Sequence, residues 1–302
     1  MKKLLILVDK IGVKKEYFAH YIAQNLPKDS QVVLARFSDV IMENKEGKIE
    51  IYLDENKLFL RDFDLVCFRR AGGEFLSMAG TLGVFLNHLG IPFFDSTFEN
   101  IGPAGDKITS YIRLCLAGLP CMPFYFCWHS KIEEKKKEII EKFGLPLVAK
   151  SLSLQGGKGV SLIKKEKDID SLIKDHPKNE FFFQKYFEGK DEYRILVLKD
   201  TIGSFEKKIK SKTEFRANVV LGAVEEYIDL DKITPEMKEI AIKGAQTLKI
   251  EIAGVDVLVD DHDRMWLLEI NRGPGLTYDP QISPELKSLA SFFKRELEKT
   301  DE

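Results

Sequence analysis

The sequence lacks the features that assign a chain to a membrane, secreted or zinc-binding class. Its four cysteines form no C-x-x-C pair, and its five histidines complete no zinc pattern. No apolar segment approaches the roughly 20 residues that span a membrane. The apolar run near the amino terminus is shorter than the about 7–15 residues of a secretory signal. These absences predict a cytoplasmic protein with reduced thiols and no membrane partner.

A strong excess of one charge sign is also missing. The chain has 46 Lys and Arg against 48 Asp and Glu, a net charge of −2, which predicts no nucleic-acid partner because a basic face would be expected. The P-loop pattern G-x-x-x-x-G-K-[ST] does not occur. A Ser–His or Cys–His constellation is absent as well, so the sequence does not indicate a protein nucleophile.

What is present is an alternation of apolar strands and amphipathic helices along 302 residues, of which 44% are hydrophobic. Over residues 1–100 this alternation predicts an open parallel sheet with helices on both faces. The predicted helices cover residues 14–26, 75–89, 103–120, 131–143, 167–175, 235–249 and 283–299. The predicted strands cover residues 4–9, 31–37, 64–70, 91–94, 180–187, 193–199 and 201–209, with hairpins near 43–60, at 145–164 and at 254–275.

The hairpin GVDVLVDDHDRMWLLEINRGPG carries two carboxylates and an amide, Asp256, Glu269 and Asn271. With a four-residue turn at 260–263, Asp256 lies opposite Leu267. Alternation of side chains then places Leu267, Glu269 and Asn271 on the same face of the hairpin as Asp256. Glu269 is then the diagonal neighbour of Asp256, roughly 7–8 Å away. Because unpaired buried carboxylates are costly and oxygen ligands suit Mg²⁺, this face predicts a metal site. The alternative is a solvent-facing strand with incidental acids, and the turn is interpreted as solvated because it lacks the calcium-loop spacing.

A second candidate is the glycine-rich segment VAKSLSLQGGKGV between two strands. Its glycines would let backbone N–H groups close around phosphate oxygens, with the Lys150 ammonium at one edge. The candidate residues are Lys150, Ser153, Gln155, Gly156, Gly157 and Gly159. The alternative is a flexible hairpin without a ligand.

Two further segments carry polar residues next to apolar strands. In FFFQKYFEGKDEYR, Gln184 ends an aromatic strand that could bind an adenine edge, and Asp191 or Glu192 could take ribose hydroxyls. The alternative is a core strand followed by a polar turn. In EFRANVVLG, Arg216 and Asn218 alternate onto one strand face, where they would suit a phosphate or a developing acyl oxyanion.

The order of these segments resembles the ATP-grasp superfamily, and most closely its RimK-type ligases. The matching segments are DKITSYIRLCLAGLP, LVAKSLSLQGGKGV, QKYFEGKDEYR, FRAN, GVDVL and EINRGPGL. The resemblance implies an α/β fold of the ATP-grasp type that holds ATP between two antiparallel sheets. It also implies an N-terminal domain at 1–100, a small subdomain with the glycine loop at 101–182, and a C-terminal subdomain with the metal site at 183–302.

The resemblance implies a role for each matching residue. Lys107 and Lys150 would contact ATP phosphates under the loop at 153–159, and Gln184, Lys185, Tyr186 and Phe187 would form the adenine hinge. The ribose partner would be Glu192 by spacing, with Asp191 as the neighbouring candidate. Arg216 and Asn218 would be the catalytic, phosphate-facing pair. Asp256, Glu269 and Asn271 would hold two Mg²⁺ ions, with Mn²⁺ as an alternative.

By resemblance, the activity is ATP-dependent carboxylate–amine ligation. A substrate carboxylate attacks the γ-phosphate of ATP to form an acylphosphate, and an amine then displaces phosphate to give an amide, ADP and phosphate. The partners would be a carboxylate substrate and an amine from amino acids, a peptide or a protein tail, and a homo-oligomer is compatible with the sequence. The alternatives are a small-molecule kinase of the same fold and a nucleotide-binding module without turnover.

Three segments depart from the RimK pattern. The FRAN strand continues without a basic residue, Arg272 follows Asn271 where a small residue is usual, and FRRAGG replaces a proline-containing segment. Arg69, Arg70 and Arg272 are therefore candidates for binding a substrate carboxylate, and a structural salt bridge is the alternative for each. These departures argue against a ribosomal protein tail as the substrate.

Overall fold

The computed structural model describes residues 1–45, 48–53, 57–71, 75–99, 107–127, 129–152, 159–187, 191–209 and 224–299. The first strands are β1 (Lys3–Val8), β2 (Gln31–Arg36), β3 (Val40–Lys45), β4 (Lys48–Leu53), β5 (Leu58–Phe59), β6 (Leu65–Phe68) and β7 (Phe93–Phe94). The first helices are α1 (Val13–Asn25) and α2 (Phe75–Leu89). One sheet has the order β2-β1-β6-β7 with parallel pairings, so the predicted parallel sheet is confirmed. A separate antiparallel sheet contains β3, β4 and β5.

Strand β1 shows why the first sheet is covered on both faces. Leu4, Ile6 and Val8 pack in the same cluster as α1, whereas Leu5 and Leu7 pack in the cluster that contains α2. All five side chains are completely buried. A strand buried on both faces is a continuous apolar run rather than an alternating one, and the prediction of helices on both faces is confirmed.

The middle of the chain forms a second layer around an antiparallel sheet. Its elements are α3 (Lys107–Leu116), β8 (Phe124–Phe126), α4 (His129–Phe143), β9 (Leu147–Ser151), β10 (Val160–Ile163), α5 (Glu166–Asp175) and β11 (Phe181–Lys185). The sheet has the order β10-β9-β11-β8 and packs one face against α4 and α5. Side-chain alternation therefore places Lys150, Phe182 and Gln184 on the opposite face, away from those helices.

The predicted helix at 103–120 is shorter in the structure. Within the described chain it runs from Lys107 to Leu116, and residues 101–106 lie outside the described residues. Gly118 has a φ of +72°, the left-handed conformation that commonly follows the last turn of a helix. The helix therefore ends just before the Gly-Leu-Pro sequence, and the predicted stop at that sequence is confirmed.

The last part of the chain forms a five-stranded antiparallel sheet. Its elements are β12 (Asp191–Leu198), β13 (Thr201–Ile209), β14 (Val224–Tyr227), α6 (Pro235–Leu248), β15 (Ile252–Val259), β16 (Met265–Arg272) and α7 (Glu285–Glu298). The strand order is β14-β13-β12-β15-β16, and α6 covers one face through Ile195, Val255 and Val257. The other face carries Arg194 and Asp256 at paired positions of β12 and β15.

Helix α7 joins the last part of the chain to the first. Leu286, Leu289 and Phe293 are buried in the same cluster as β1 and α1. The rings of Phe94 and Phe292 have centroids 5.2 Å apart. The first sheet therefore depends on a helix that comes at the other end of the described chain, and the division into three parts at residues 100 and 182 stays a prediction.

A buried carboxylate connects the end of the first sheet to the start of β15. Asp95 accepts hydrogen bonds from the backbone N–H groups of Glu251, at 3.1 Å, and Ile252, at 3.3 Å. The hydroxyl of Ser96 donates to the Glu251 carboxylate at 2.7 Å. Burial raises the pKa of Asp95 to about 8, and the nearby charge of Glu251 adds to this effect.

This carboxylate gives a pH-dependent contribution to the free energy of unfolding. The pKa of folded Asp95, about 8, lies above its unfolded value of about 3.9. Its stabilisation is therefore complete below about pH 4 and is lost as the pH rises towards 8. Asp95→Asn keeps an oxygen acceptor but removes the titration. Between about pH 5.5 and about pH 8, we expect the unfolding free energy of this variant to change less than that of the wild type does. The difference between the two changes should be on the order of 1–3 kcal/mol.

Urea unfolding at the two pH values measures this difference. Asp29→Asn is the matched control because Asp29 is exposed and lies in a turn. It should keep the pH dependence of the wild type. If Asp95→Asn kept it as well, the assignment of that dependence to Asp95 would be wrong.

Candidate functional site

The sheet β10-β9-β11-β8 and the sheet β14-β13-β12-β15-β16 face each other across one apolar cluster. Phe182 of β11 and Leu258 of β15 are buried in it together with Tyr111 of α3. Just beyond β11, the ring of Phe187 stacks on Trp266 of β16 with centroids 5.4 Å apart. The cluster therefore joins the face that carries Lys150 and Gln184 to the face that carries Asp256.

The three predicted metal ligands lie on one face of the β15–β16 hairpin. Asp256 pairs directly with Glu269, and Asn271 pairs with Gly254. Because residues two apart on a strand point the same way, the two carboxylates and the amide share a face. Asp256 is 6% exposed, whereas Glu269 is exposed.

The pairing register of this hairpin differs from the prediction. A register shift between Asp256 and Val257 leaves Leu268 as an extra residue on β16, and Leu267 pairs with Val257. Leu267 is buried in the cluster under α6, on the face opposite to Asp256. The predicted pairing of Asp256 with Leu267, and their common face, are therefore wrong. Strand alternation alone does not reveal a bulge, which inserts one residue and reverses the side chains beyond it.

The connection between β15 and β16 is not a solvated four-residue turn. Residues 260–264 separate the paired strand ends, and Asp260 is 3% exposed. Its carboxylate accepts hydrogen bonds from the Trp266 indole and from the backbone N–H groups of Arg264 and His262. Burial alone would raise the pKa of Asp260, but these hydrogen bonds outweigh it and lower the pKa. The solvated interpretation is wrong for Asp260, whose carboxylate holds the turn together.

Two cations that the sequence did not single out hold Asp256. Arg194 makes a two-pronged contact, with Nε 3.0 Å from Oδ1 and Nη2 3.1 Å from Oδ2 of Asp256. The Lys208 ammonium donates to Oδ1 at 2.8 Å. Burial alone would raise the pKa of Asp256, but the charges and hydrogen bonds of Arg194 and Lys208 lower it to about 2. Asp256 is therefore ionised and fixed in orientation at neutral pH.

The same face distinguishes the two candidate ribose residues. Glu192 pairs with Leu258 of β15 and lies 3.3 Å from the Lys208 ammonium, so it shares the face of Asp256. Asp191 points to the other side, where its carboxylate lies 2.5 Å from the Lys207 ammonium. Strand alternation therefore directs Glu192, rather than Asp191, into the space between the sheets.

Three residues connect the end of β9 to β16, the strand that carries Glu269 and Asn271. The Lys107 ammonium donates to the carbonyl of Ser151 at 3.0 Å, at the point where β9 ends. The Lys150 ammonium lies 5.9 Å from the centroid of the Tyr111 ring. The Tyr111 hydroxyl in turn donates to the carbonyl of Leu268 on β16. No local pattern in the sequence singles out Tyr111, because its partner is 157 residues away.

The predicted adenine hinge contains a buried amide with unused hydrogen-bonding capacity. Gln184 is 1% exposed, and its Nε2 has no hydrogen-bond partner among the residues that the structure describes. Lys185 is exposed, with its ammonium 5.1 Å from the centroid of the Phe187 ring. Tyr186 and Phe187 are half-buried.

Several predicted site residues lie outside the described residues. They are Ser153, Gln155, Gly156 and Gly157 of the glycine loop and the proposed catalytic pair Arg216 and Asn218. Gly159 is described, and its carbonyl accepts a hydrogen bond from the backbone N–H of Ser151 at 2.7 Å. The described residues on the two sides of the glycine loop are therefore joined by a backbone hydrogen bond.

Arg272 points away from the three predicted metal ligands. It follows Asn271 on β16 and pairs with Ala253, so its side chain lies on the opposite face. Its guanidinium lies 4.9 Å from the centroid of the Phe98 ring, and burial lowers its pKa. Its Nη1 is buried without a hydrogen-bond partner among the described residues. The predicted contact with a substrate carboxylate therefore stays a prediction, but away from the face of the three predicted metal ligands.

The described parts of the chain lack two kinds of feature. They contain no group of three or more His, Cys, Asp and Glu side chains arranged to hold a metal ion, and the predicted set has only two carboxylates plus an amide. None of the helices in these parts has the length and apolar character needed to cross a membrane.

Residues 104–285 match the family model described as the RimK-like ATP-grasp domain, and the chain belongs to this family. A Pseudomonas aeruginosa (strain UCBPP-PA14) protein named "Probable alpha-L-glutamate ligase" is 34% identical over 181 residues, which are 58% of each chain. The chain spans about half the length of the curated relatives it matches.

Solved structures share the fold over nearly the whole chain. The ATP-grasp ligase PsnB, complexed with minimal precursor, Mg and ADP, has a TM-score of 0.74 at 14% identity and covers 97% of both chains. The D-alanine–D-alanine ligase of Bacillus anthracis, complexed with ATP, has a TM-score of 0.68 at 19% identity, over 100% of this chain and 99% of that one. Likeness at this level of identity confirms the predicted α/β ATP-grasp fold.

Proposed function

We propose that the chain is an ATP-dependent carboxylate–amine ligase that forms an amide through an acylphosphate. The observation that carries the proposal is the common face of Asp256, Glu269 and Asn271, which borders the apolar cluster between the two sheets. Membership of the RimK-like ATP-grasp family supports it. The relatives named as glutamate ligases favour this class over a small-molecule kinase.

The space between the sheets suits a nucleotide base. Phe182 and Tyr111 are buried in the apolar cluster there, and Gln184 on the same strand as Phe182 has a buried Nε2 without a hydrogen-bond partner among the described residues. A buried donor that lacks a partner costs about 1–3 kcal/mol, so a hydrogen-bonding ligand would be stabilised at this position. Glu192 lies on the facing sheet, where it would accept from ribose hydroxyls.

The donor set suits magnesium. Asp256, Glu269 and Asn271 offer oxygen ligands, which hard divalent cations prefer, and Asp256 is ionised because Arg194 and Lys208 hold its pKa near 2. When bound, Mg²⁺ would offset the negative charge of the ATP phosphates. We further propose two ions that share Glu269, with Mn²⁺ as a substitute. Lys107 at the start of α3 and Lys150 on β9 would contact the phosphates.

The chemistry needs positioning and charge rather than a protein nucleophile. A substrate carboxylate oxygen attacks the γ-phosphorus, the bond from that phosphorus to ADP breaks, and an acylphosphate forms. An amine then attacks the acyl carbon, inorganic phosphate leaves, and the amine loses a proton. The acid and amine would come from amino acids or peptides, and Arg216 with Asn218 would stabilise the developing negative charge.

Trapping the acylphosphate tests this proposal. The purified chain is incubated with ATP, Mg²⁺ and hydroxylamine across a panel of carboxylic acids that includes L-glutamate and acidic peptides. We expect acyl hydroxamate and ADP in equal amounts. AMP as the product, or a stable phosphorylated alcohol in a parallel panel of alcohols without any hydroxamate, would contradict it.

A further inference from the structure

Three cationic side chains meet at the carboxyl edge of the first parallel sheet. Arg69 and Arg70 directly follow β6, and Lys15 lies in the first turn of α1, which follows β1. Parallel strands end at the same edge of a sheet, so these side chains converge. Among the described residues, Lys15 of this group forms an ion pair with Asp9, with its ammonium 3.2 Å from the Asp9 carboxylate. The local charge is therefore positive.

Arg69 is the most deeply buried of these three cations, which together form the cationic cluster. The residue is 3% exposed, and its Nη2 donates to the carbonyl of Pro274 at 2.6 Å. Its Nη1 has no hydrogen-bond partner in the described part of the chain. Leaving a buried charged donor without a partner costs more than leaving a neutral one, so this atom favours an anion beside it.

The other two cations leave the cluster open to solvent on one side. The side chain of Lys15 is 16% exposed, and Arg70 is an exposed residue with a φ of +72°. Burial lowers the pKa of Lys15, Asp9 opposes this effect, and the charges of Arg69 and Arg70 add to it. A purely structural role explains the contact of Arg69 with Pro274, but it does not explain two further cations held next to the first.

The cluster adjoins the strand that carries the predicted metal ligands. Gly273, which has a φ of +55°, lies so close that an added Cβ would be 2.9 Å from Arg69 Nη1 and 3.3 Å from the backbone nitrogen of Arg70. Gly273 is two residues beyond Asn271, a backbone separation on the order of 7 Å. One small molecule could therefore reach both the cationic cluster and the metal ligands.

We propose that Lys15, Arg69 and Arg70 bind a carboxylate of the acid substrate that does not react, while its other carboxylate is activated at the face of Asp256 and Glu269. The acid substrate is then a dicarboxylate whose two groups are separated by a few carbon atoms. This inference rests on the proposed ligase function, but its binding step can be measured without turnover.

Glutarate is the probe, titrated into the full chain by isothermal calorimetry without ATP. We expect Arg70→Gln and Lys15→Gln each to weaken glutarate binding at least about tenfold, in line with the loss of a charge-assisted contact. Lys28→Gln is the matched control, because Lys28 is exposed beyond the other end of α1. It should bind glutarate as the wild type does. Arg69 is left unchanged because its contact with Pro274 also supports the fold.

A second measurement separates this inference from the ligase proposal. In the hydroxamate assay, Arg70→Gln should lower kcat/KM for glutarate at least about tenfold and leave that for butyrate, which has one carboxylate, unchanged. If no acid gives hydroxamate, the ligase proposal fails, but the calorimetry still tests whether the cationic cluster binds glutarate. Wild-type protein that does not bind glutarate, or Arg70 and Lys15 variants that bind it normally, would overturn the inference.

Discussion

Glu269→Gln should lower the rate of amide formation at least about a thousandfold while leaving the Tm within about 2 °C of the wild type. The glutamine keeps the size of the side chain but removes the charge that would bridge two ions. Glu269 is exposed on β16, so its replacement removes little that stabilises the fold. Rates from the hydroxamate assay and a thermal melt measure the two effects separately.

Glu226→Gln is the matched control for this variant. Glu226 is also an exposed strand glutamate of the same sheet, and it pairs with Lys207 on the side opposite to Asp256. Glu226→Gln loses the same charge as Glu269→Gln. Because this charge lies on the other side of the sheet from Asp256, the activity should stay close to that of the wild type. Activity of Glu269→Gln within about tenfold of the wild type would remove Glu269 from the proposed mechanism.

Asp256→Asn should instead destabilise the fold by about 3–5 kcal/mol, as well as impair activity. The carboxylate is the shared partner of Arg194 and Lys208, and the side chains of Lys208 and Asp256 are only 4% and 8% exposed. Without it, Arg194 would keep only Glu225, at 3.5 Å, and Lys208 only Glu192, at 3.3 Å, as anionic partners among the described residues. Because the pKa of Asp256 is about 2, below its usual value, this stabilisation exists above about pH 4 and is lost as the pH falls towards 2.

Urea unfolding of a double-mutant cycle checks this assignment. Adding Lys208→Met to Asp256→Asn should recover part of the lost free energy, because it removes one of the two cations that have lost Asp256 as a partner. Glu134→Gln breaks an exposed pair with Lys131 and should cost at most about 1 kcal/mol. A loss below about 1 kcal/mol for Asp256→Asn would show that the Arg194 and Lys208 contacts are not needed for stability.

Local patterns predicted the elements of the fold well. The run LLILV predicted a first strand, and the alternation of strands and helices predicted a sheet covered on both faces; β1 is a strand of such a sheet. The hairpin that carries Asp256 and Glu269 was also found. Its register was wrong because the bulge at Leu268 depends on packing between sheets, whereas alternation assumes one residue opposite one.

The contacts that organise the site could not be predicted in the same way. Arg194 reaches Asp256 across 62 residues of chain, and Lys208 reaches it across 48. These contacts exist because β12 lies between β13 and β15 in the sheet, and strand order is not encoded in the periodicity of any single segment. Motif resemblance located the carboxylates but gave no information about which cations pair with them.

The position of α7 affects how the chain folds during synthesis. Roughly 190 residues separate the end of β7 from the start of α7, which the ribosome would take about 10–40 s to add. Until then, the side of β1 that carries Leu4, Ile6 and Val8 lacks Phe292 and Phe293 as cover. The nascent first sheet therefore has part of this apolar face uncovered until α7 has been synthesised.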